Sequence, residues 1–215
     1  MNSALEGYRS KLLIPLEDEP IIVHTIKALL QEGSIRRILV LYPRGLIADF
    51  EVAQVDPRVT LVEGGNTRQL SVLNGLQILS PLERDGLVLI HDGARCLVSP
   101  ELLSRCIAAC ATDDVPVTAA IPMTDSVKEV QGDLVLRSLD RTGLRRVQTP
   151  QVFPFPLLVA AHERDSGNAT DDASLVEAFS PVKVIEGDEF NLKVTTPFDL
   201  EIARLLLRRR QNRAD

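Results

Sequence analysis

The stretch VTLVEGGNTRQLSVLNGLQIL, residues 59–79, decides the fold. A short β-branched apolar run at 59–62 reads as a buried strand. It stops at Gly64-Gly65, and from 67 to 79 the apolar residues return at helical spacing. This strand, glycine turn and helix recur downstream: LVLI at 87–90 is an apolar run, His91-Asp92-Gly93 a turn, and Ser99-Pro100-Glu101 a helix start with a capping serine and a proline at the first helical position. Upstream, a helical pattern at 21–32 opens after Pro20 and ends at Gly33, and IRRILVLY at 35–42 is a strand bounded by Pro43 and Gly45. Strands alternating with helices predict an α/β fold with a parallel sheet.

Beyond a further strand at 115–121 the alternation changes. Residues 126–130 and 134–138, joined by Gln131-Gly132-Asp133, read as a hairpin with no helix between its strands. An isolated hairpin is marginal, so it is expected to project as an arm and pack on something, most economically another subunit. The core pattern resumes with VQTPQVF at 147–153, a helix from Phe155, a second after a Thr170 cap, a strand at 182–185, and a last helix capped by Thr196-Pro197. At about 150 residues per domain, 215 residues come to about 1.4 domains, which favours one domain, 1–215, with the arm at 123–149 as a small appendage inside it.

Composition removes several classes of function. With 45% hydrophobic and 25% charged residues the chain is neither disordered nor a disulfide scaffold. No apolar run approaches the roughly 20 residues that cross a bilayer, and MNSALEGYRSK is not a signal peptide, so no membrane partner and a cytoplasmic location are expected. A net charge of −6 argues against a sequence-independent nucleic-acid binder. The Arg208-Arg209-Arg210 run is read as solvated cations complementing a helix C-terminus. Cys96, Cys106 and Cys110 contain no CxxC pair and the three histidines are scattered, so no protein metal site is expected. Cys106 and Cys110 read as small buried hydrophobes.

In an open α/β sheet, ligands sit beyond the carboxyl ends of the strands. There, Gly64-Gly65-Asn66-Thr67-Arg68 with Ser71 offers backbone N–H groups, a helix N-terminus and a cationic fork, suited to a phosphate or a nucleobase edge. Asp92-Gly93-Ala94-Arg95 adds an acid for a ribose hydroxyl or a metal-bound phosphate, small residues for close approach, and a second arginine. Taken singly, each is weak: a glycine turn before a helix is more often loop punctuation, and a strand-end Asp more often a helix cap. Asp140-Arg141, Thr149 in a TPQ tripeptide, Thr170-Asp171 and Asn191-Leu192-Lys193-Val194-Thr195 follow. The shared content is cations and hydroxyls with no paired nucleophile and base, the outfit of phosphoryl or nucleotidyl transfer.

Seven motifs in order, GGNTRQLSVLNGL (64–76), VLIHDGAR (88–95), DSVK (125–128), DRTGL (140–144), TPQVF (149–153), TDDAS (170–174) and NLKVTTPFDL (191–200), resemble the 2-C-methyl-D-erythritol 4-phosphate cytidylyltransferase family. The resemblance runs from about Lys11 to the final helix. It implies a Rossmann-like, mostly parallel sheet flanked by helices, forming a single nucleotidyltransferase domain that joins CTP to methylerythritol phosphate with release of pyrophosphate in non-mevalonate isoprenoid biosynthesis. Carried over position by position, Gly64, Asn66, Arg68, Ser71 and Gly93 hold the cytosine, and Asp92 and Arg95 serve the nucleotide and the substrate side. Lys11 and Lys193 neutralise the triphosphate and the transition state. The hairpin implies a homodimer, in which the arm brings Ser126 and Arg141 to the partner's substrate phosphate. Thr149 and Thr170 match further positions near the substrate. Mg2+ is implied as a cofactor held mainly by the CTP phosphates.

The chain departs from that pattern at its start. No strand and glycine-rich triphosphate loop precede Lys11, which the resemblance explains by a native start further upstream, or by a degenerate, non-catalytic member. Arg9 reads as a solvated cation rather than a replacement for the loop's arginine. Ser126 stands for a threonine, Cys96 for a proline, and Leu12-Leu13 for a glutamine and an aromatic residue. A cytidylyltransferase for another polyol phosphate, such as ribitol 5-phosphate, is the close alternative, and Ala94 argues against it.

Overall fold

The computed structural model describes residues 7–79, 85–164 and 169–214, with side chains described as far as Arg210. Ser10 caps a single 3-10 turn at Lys11–Leu13, and two short antiparallel strands, β1 (Pro15–Leu16) and β2 (Glu19–Pro20), lead into α1 (Ile21–Leu30). Helix α1 ends two residues before the 21–32 helix expected, at Gln31, whose N–H returns to Ala28 and Leu29. Next come β3 (Ile38–Tyr42), the short α2 (Ile47–Phe50), β4 (Val59–Glu63), α3 (Arg68–Ile78) and β5 (Leu87–Ile90). Helix α4 (Pro100–Asp113) starts as its sequence predicts: Ser99 accepts from the Leu102 N–H, and Asp114 in the left-handed region closes the other end.

After β6 (Val117–Pro122) the chain makes the antiparallel hairpin β7 (Val127–Gln131) and β8 (Leu134–Leu139), with Gly132 at φ 58° in the turn. Leu134 is 74% exposed, and Val130, Val135 and Leu136 are exposed beside it. Of the 123–149 segment, residues 145–149 already belong to the ten-residue β9 (Arg145–Pro154), of which 145–147 pair with β6. Helices α5 (Phe155–Arg164) and α6 (Asp172–Val176), strand β10 (Lys183–Glu186) and α7 (Pro197–Ala214) complete the chain. The cap of α6 is Asp171, not the expected Thr170; its carboxylate accepts from both the N–H and the hydroxyl of Ser174.

The mostly parallel sheet is corrected to a mixed one. Strands run in the order β10-β6-β9-β5, with β10 and β6 parallel and β9 antiparallel to both its neighbours. The cause lies in the connections. Strand β9 returns directly from the arm with no crossover helix, and such a return delivers an antiparallel strand. Strands β5, β6 and β10 therefore point the same way and β9 alone opposes them. Strands β3 and β4 form a separate parallel pair, and among the described residues no strand joins β3 to β5.

Shared side-chain packing holds the two sheets together. Val23 and Ile26 of α1, Leu102, Leu103, Cys106 and Cys110 of α4, Val40 of β3, Val117 of β6 and Val152 of β9 form one buried cluster. A second cluster packs α3, α5 and α6 around Phe153, and a third seats α7 against Leu16 and Leu97. Burying a side chain such as Leu103 or Phe153 contributes about 1.5–3 kcal/mol, so α4 and β9 carry much of the stability. The arginines of α7 are partly tied down: Arg208 pairs with Glu17, and Arg210 donates to the Leu97 carbonyl. Among the described residues no helix is long and apolar enough to cross a membrane.

Candidate active site

The site begins where β9 breaks register. Thr118 faces Gln151 but Ala120 faces Val147, so Gln148-Thr149-Pro150 bulges out of the ladder, at a proline with no N–H to give. The bulge turns the Thr149 hydroxyl toward the end of β5, where it accepts the Asp92 N–H at 3.0 Å and meets His91 Nδ1 at 3.1 Å. His91 Nε2 faces the Arg95 carbonyl at 3.1 Å. Since that carbonyl only accepts, the ring proton is on Nε2, and Nδ1 accepts from Thr149. Burial pushes His91 down to about 4, so the imidazole is neutral at physiological pH.

Asp92 gathers the cations. Its carboxylate lies 3.0 Å from Lys193 Nζ and 3.4 Å from Arg95 Nε. Burial would raise its pKa, but Lys193 and Arg95 outweigh that and hold it below the usual carboxylate range. Arg95 is pulled down by its own burial, against the pull of Asp92. Arg95 also donates to the Asn191 carbonyl at 2.8 Å. The fully buried Asn191 in turn donates to the Thr149 carbonyl at 2.8 Å, and the Val194 N–H donates to the Ala94 carbonyl at 2.9 Å. The loop after β10 is thus stitched to the loop after β5. Gly93 sits in close approach: a Cβ there would lie 3.1 Å from the methyls of Leu12 and Ile22, which would have to shift by a few tenths of an ångström, and the contact places the turn containing Lys11 against this loop. Lys11 itself is exposed.

The glycine turn after β4 is closed more tightly than its sequence suggests. The Gly64 N–H donates to the Tyr42 carbonyl at 2.8 Å and the Gly65 N–H to the Ser71 hydroxyl at 3.0 Å, so neither is free for a ligand, a correction to the exposed N–H groups expected. Ser71 also donates to the Thr67 carbonyl at 2.8 Å, leaving one lone pair, and Asn66 is exposed at the tip. Arg68 opens α3 and pairs with the buried Asp172, close enough to Asp92 and Asp171 to feel their charge.

Of the expected site residues, the structure brings Asp92, Gly93, Arg95, Thr149 and Lys193 into one cluster, with Gly64, Arg68 and Ser71 on the neighbouring turn. Thr170 is exposed next to the Asp171 cap. Ser126 and Arg141 lie on the exposed arm, where Arg141 donates to the Thr124 carbonyl. Arg9 pairs with Asp49 on the surface. The sequence reading missed His91, Gln151, His162, Asp172 and Asn191 as supports of the site; a histidine between an apolar run and Asp92 was the one local signal. No group of three or more His, Cys, Asp or Glu able to hold a metal is found among the described residues.

Cations gathered on a carboxylate at the strand ends of a mixed α/β sheet, beside a glycine turn that opens a helix, define a nucleotidyltransferase type of cleft. The chain belongs to the 2-C-methyl-D-erythritol 4-phosphate cytidylyltransferase family, whose sequence model matches residues 3–209. It is 43% identical over 212 residues to the enzyme of that name from Synechococcus elongatus, covering 94% of this chain and 90% of that one. It is 44% identical over 211 residues to that of Parasynechococcus marenigrum, covering 94% and 92%. The crystal structure of 4-diphosphocytidyl-2C-methyl-D-erythritol synthase from Anaerococcus prevotii superposes with a TM-score of 0.81 at 30% identity, over 92% of this chain and 93% of that one.

Proposed function

We propose that this chain joins CTP to 2-C-methyl-D-erythritol 4-phosphate. An oxygen of the polyol phosphate attacks the α-phosphorus of CTP, a new P–O bond forms, the bond to the β-phosphate oxygen breaks, and pyrophosphate leaves. The observation that carries this reading is the Asp92 cluster, with Lys193 at 3.0 Å and Arg95 at 3.4 Å, next to the Gly64-Gly65 turn. Such a site supplies what phosphoryl chemistry needs from a protein, fixed positive charge and orientation.

Lys193 and Lys11 are assigned to the triphosphate and the charge that develops on pyrophosphate. Gly64, Asn66, Arg68, Ser71 and Gly93 take the cytosine end; Asp92 and Arg95 span nucleotide and polyol phosphate. Thr149 acts here by holding Asp92, and Thr170 lies at the substrate side. Mg2+, bound with CTP, would supply charge neutralisation to the phosphates, and Asp92 is the acidic side chain that would meet it. The apolar side chains exposed on β7 and β8 suit a homodimer that brings Ser126 and Arg141 to the partner's cleft.

Pyrophosphate release by the purified chain with CTP, Mg2+ and methylerythritol phosphate tests the reading. Turnover with ribitol 5-phosphate instead would move the assignment to the other polyol branch, and saturable CTP binding without release would reduce the chain to a binder. All the relatives named above carry the methylerythritol name, which favours the first outcome.

A further inference from the structure

Arg68 occupies an unfavourable place. It is the first residue of α3, where the helix end carries partial positive charge, and it needs a counter-ion. Asp172 supplies one from α6, with its Oδ2 2.5 Å from an Arg68 guanidinium nitrogen. The Asp172 side chain is fully buried while Arg68 is 40% exposed, so the guanidinium is anchored on one side and keeps accessible surface, within reach of the Asp92 charge.

The other Asp172 oxygen accepts the Nε2–H of His162, at 3.0 Å, from the last turn of α5. His162 has a fully buried side chain, and its Nδ1 has no partner among the described residues, which leaves Nε2 as the nitrogen that carries the proton. Burial alone would raise the Asp172 pKa, but His162 and Arg68 outweigh it and keep the carboxylate ionised. The first turn of α6 is itself fixed on β9: the Ala173 N–H donates to Gln151 Oε1 at 3.2 Å and Gln151 Nε2 donates to Asp171 at 2.8 Å. None of these groups is needed for the chemistry proposed above.

We propose that Asp172 and His162 are positioning residues for Arg68: the buried carboxylate fixes the guanidinium in the pose that meets the nucleotide, and His162 fixes the carboxylate. The inference rests on Arg68 being a nucleotide contact. An untethered arginine samples many rotamers, and each nucleotide bound would have to immobilise it. The tether therefore acts on affinity for CTP rather than on the chemical step.

The test is steady-state pyrophosphate release by the full chain, with urea denaturation of every variant. Asp172→Asn is expected to raise KM for CTP about tenfold, with kcat within about twofold. In an Arg68→Ala background it should add nothing. His162→Leu should raise the same KM, and His162→Gln, whose amide N–H reaches the same oxygen, should restore it. Variants less stable to urea but unchanged in KM, or a His162→Gln no better than His162→Leu, would overturn the proposal. If Asp172→Asn does not fold, the His162 pair decides alone. An Arg68→Ala variant with unchanged KM would instead sink the nucleotide assignment, leaving Arg68 a structural partner.

Discussion

Acid should weaken this protein through His91 well before its carboxylates protonate. In the folded chain His91 takes up a proton only near 4, against an ordinary value of 6.5, because burial disfavours the cation. Its Nδ1 must also stay an acceptor for the Thr149 hydroxyl, which is 3.1 Å away. Between those two pH values the unfolded chain binds the proton and the folded one does not, so the free energy of unfolding falls as pH falls. The contribution is fully present above about 6.5 and is lost progressively as pH drops through 4, at about 1.4 kcal/mol per unit where the difference is complete. From pH 7 to 4.5 that amounts to roughly 2 kcal/mol. Asp92 and Asp172, held below the carboxylate range, act in the same direction but at lower pH, from about 3.9 downward. His91→Asn isolates the histidine, since an amide oxygen near Nδ1 still accepts from Thr149 and does not titrate. Urea denaturation of both proteins at pH 7, 6, 5 and 4.5 should show the native chain losing about 2 kcal/mol more than the variant across the range. Parallel curves would refute the neutral, desolvated imidazole and the hydrogen-bond order drawn from it.

Lys193→Ala should reduce turnover at least about a hundredfold, by removing the cation proposed to meet the leaving phosphates, while circular dichroism stays native; unchanged activity would end the site assignment. Gly65→Ala should destabilise the chain and raise KM for CTP, because a Cβ there would lie 2.4 Å from Leu70 Cβ and 3.0 Å from its carbonyl carbon, neither a flexible end. A variant with native stability and kinetics would show that the turn relaxes freely. Burial pushes all three thiols to about 11, so near pH 8 only about one in a thousand is thiolate. The native protein should react with a thiol reagent only as fast as it unfolds, and prompt labelling of Cys96, Cys106 or Cys110 would contradict their burial.

The elements most legible in the sequence are those whose signals are local. Ser99 caps its helix where a hydroxyl precedes a helical run, and 59–62 and 87–90 are strands, as short apolar runs bounded by glycine. What stayed hidden depends on pairing. The VQTPQVF stretch looks like any buried strand. Its antiparallel direction follows from a connection without a helix, and its start at Arg145 was masked by charged side chains that lie exposed on the pleat. The α6 cap was placed one residue early, since Thr170 and Asp171 both suit the position and only the backbone decides between them.

The site divides the same way. Asp92, Arg95 and Lys193 stand in motifs that resemble a family, and cations beside a strand-end acid announce phosphate chemistry by residue type alone. Apart from the position of His91 beside Asp92, their supports carry no local signal: His91 meets Thr149 across 58 residues, Arg68 meets Asp172 across 104, and a glutamine or an asparagine in an apolar run reads as an ordinary residue. Yet these supports explain how the cluster is held ready. Asp92 gathers Lys193 and Arg95, while Thr149 and Asn191 hold the two loops that carry them. On the proposed reading, a bound triphosphate would exchange one anion for a more highly charged one against cations that have little distance to move, which is the preorganisation that electrostatic catalysis requires.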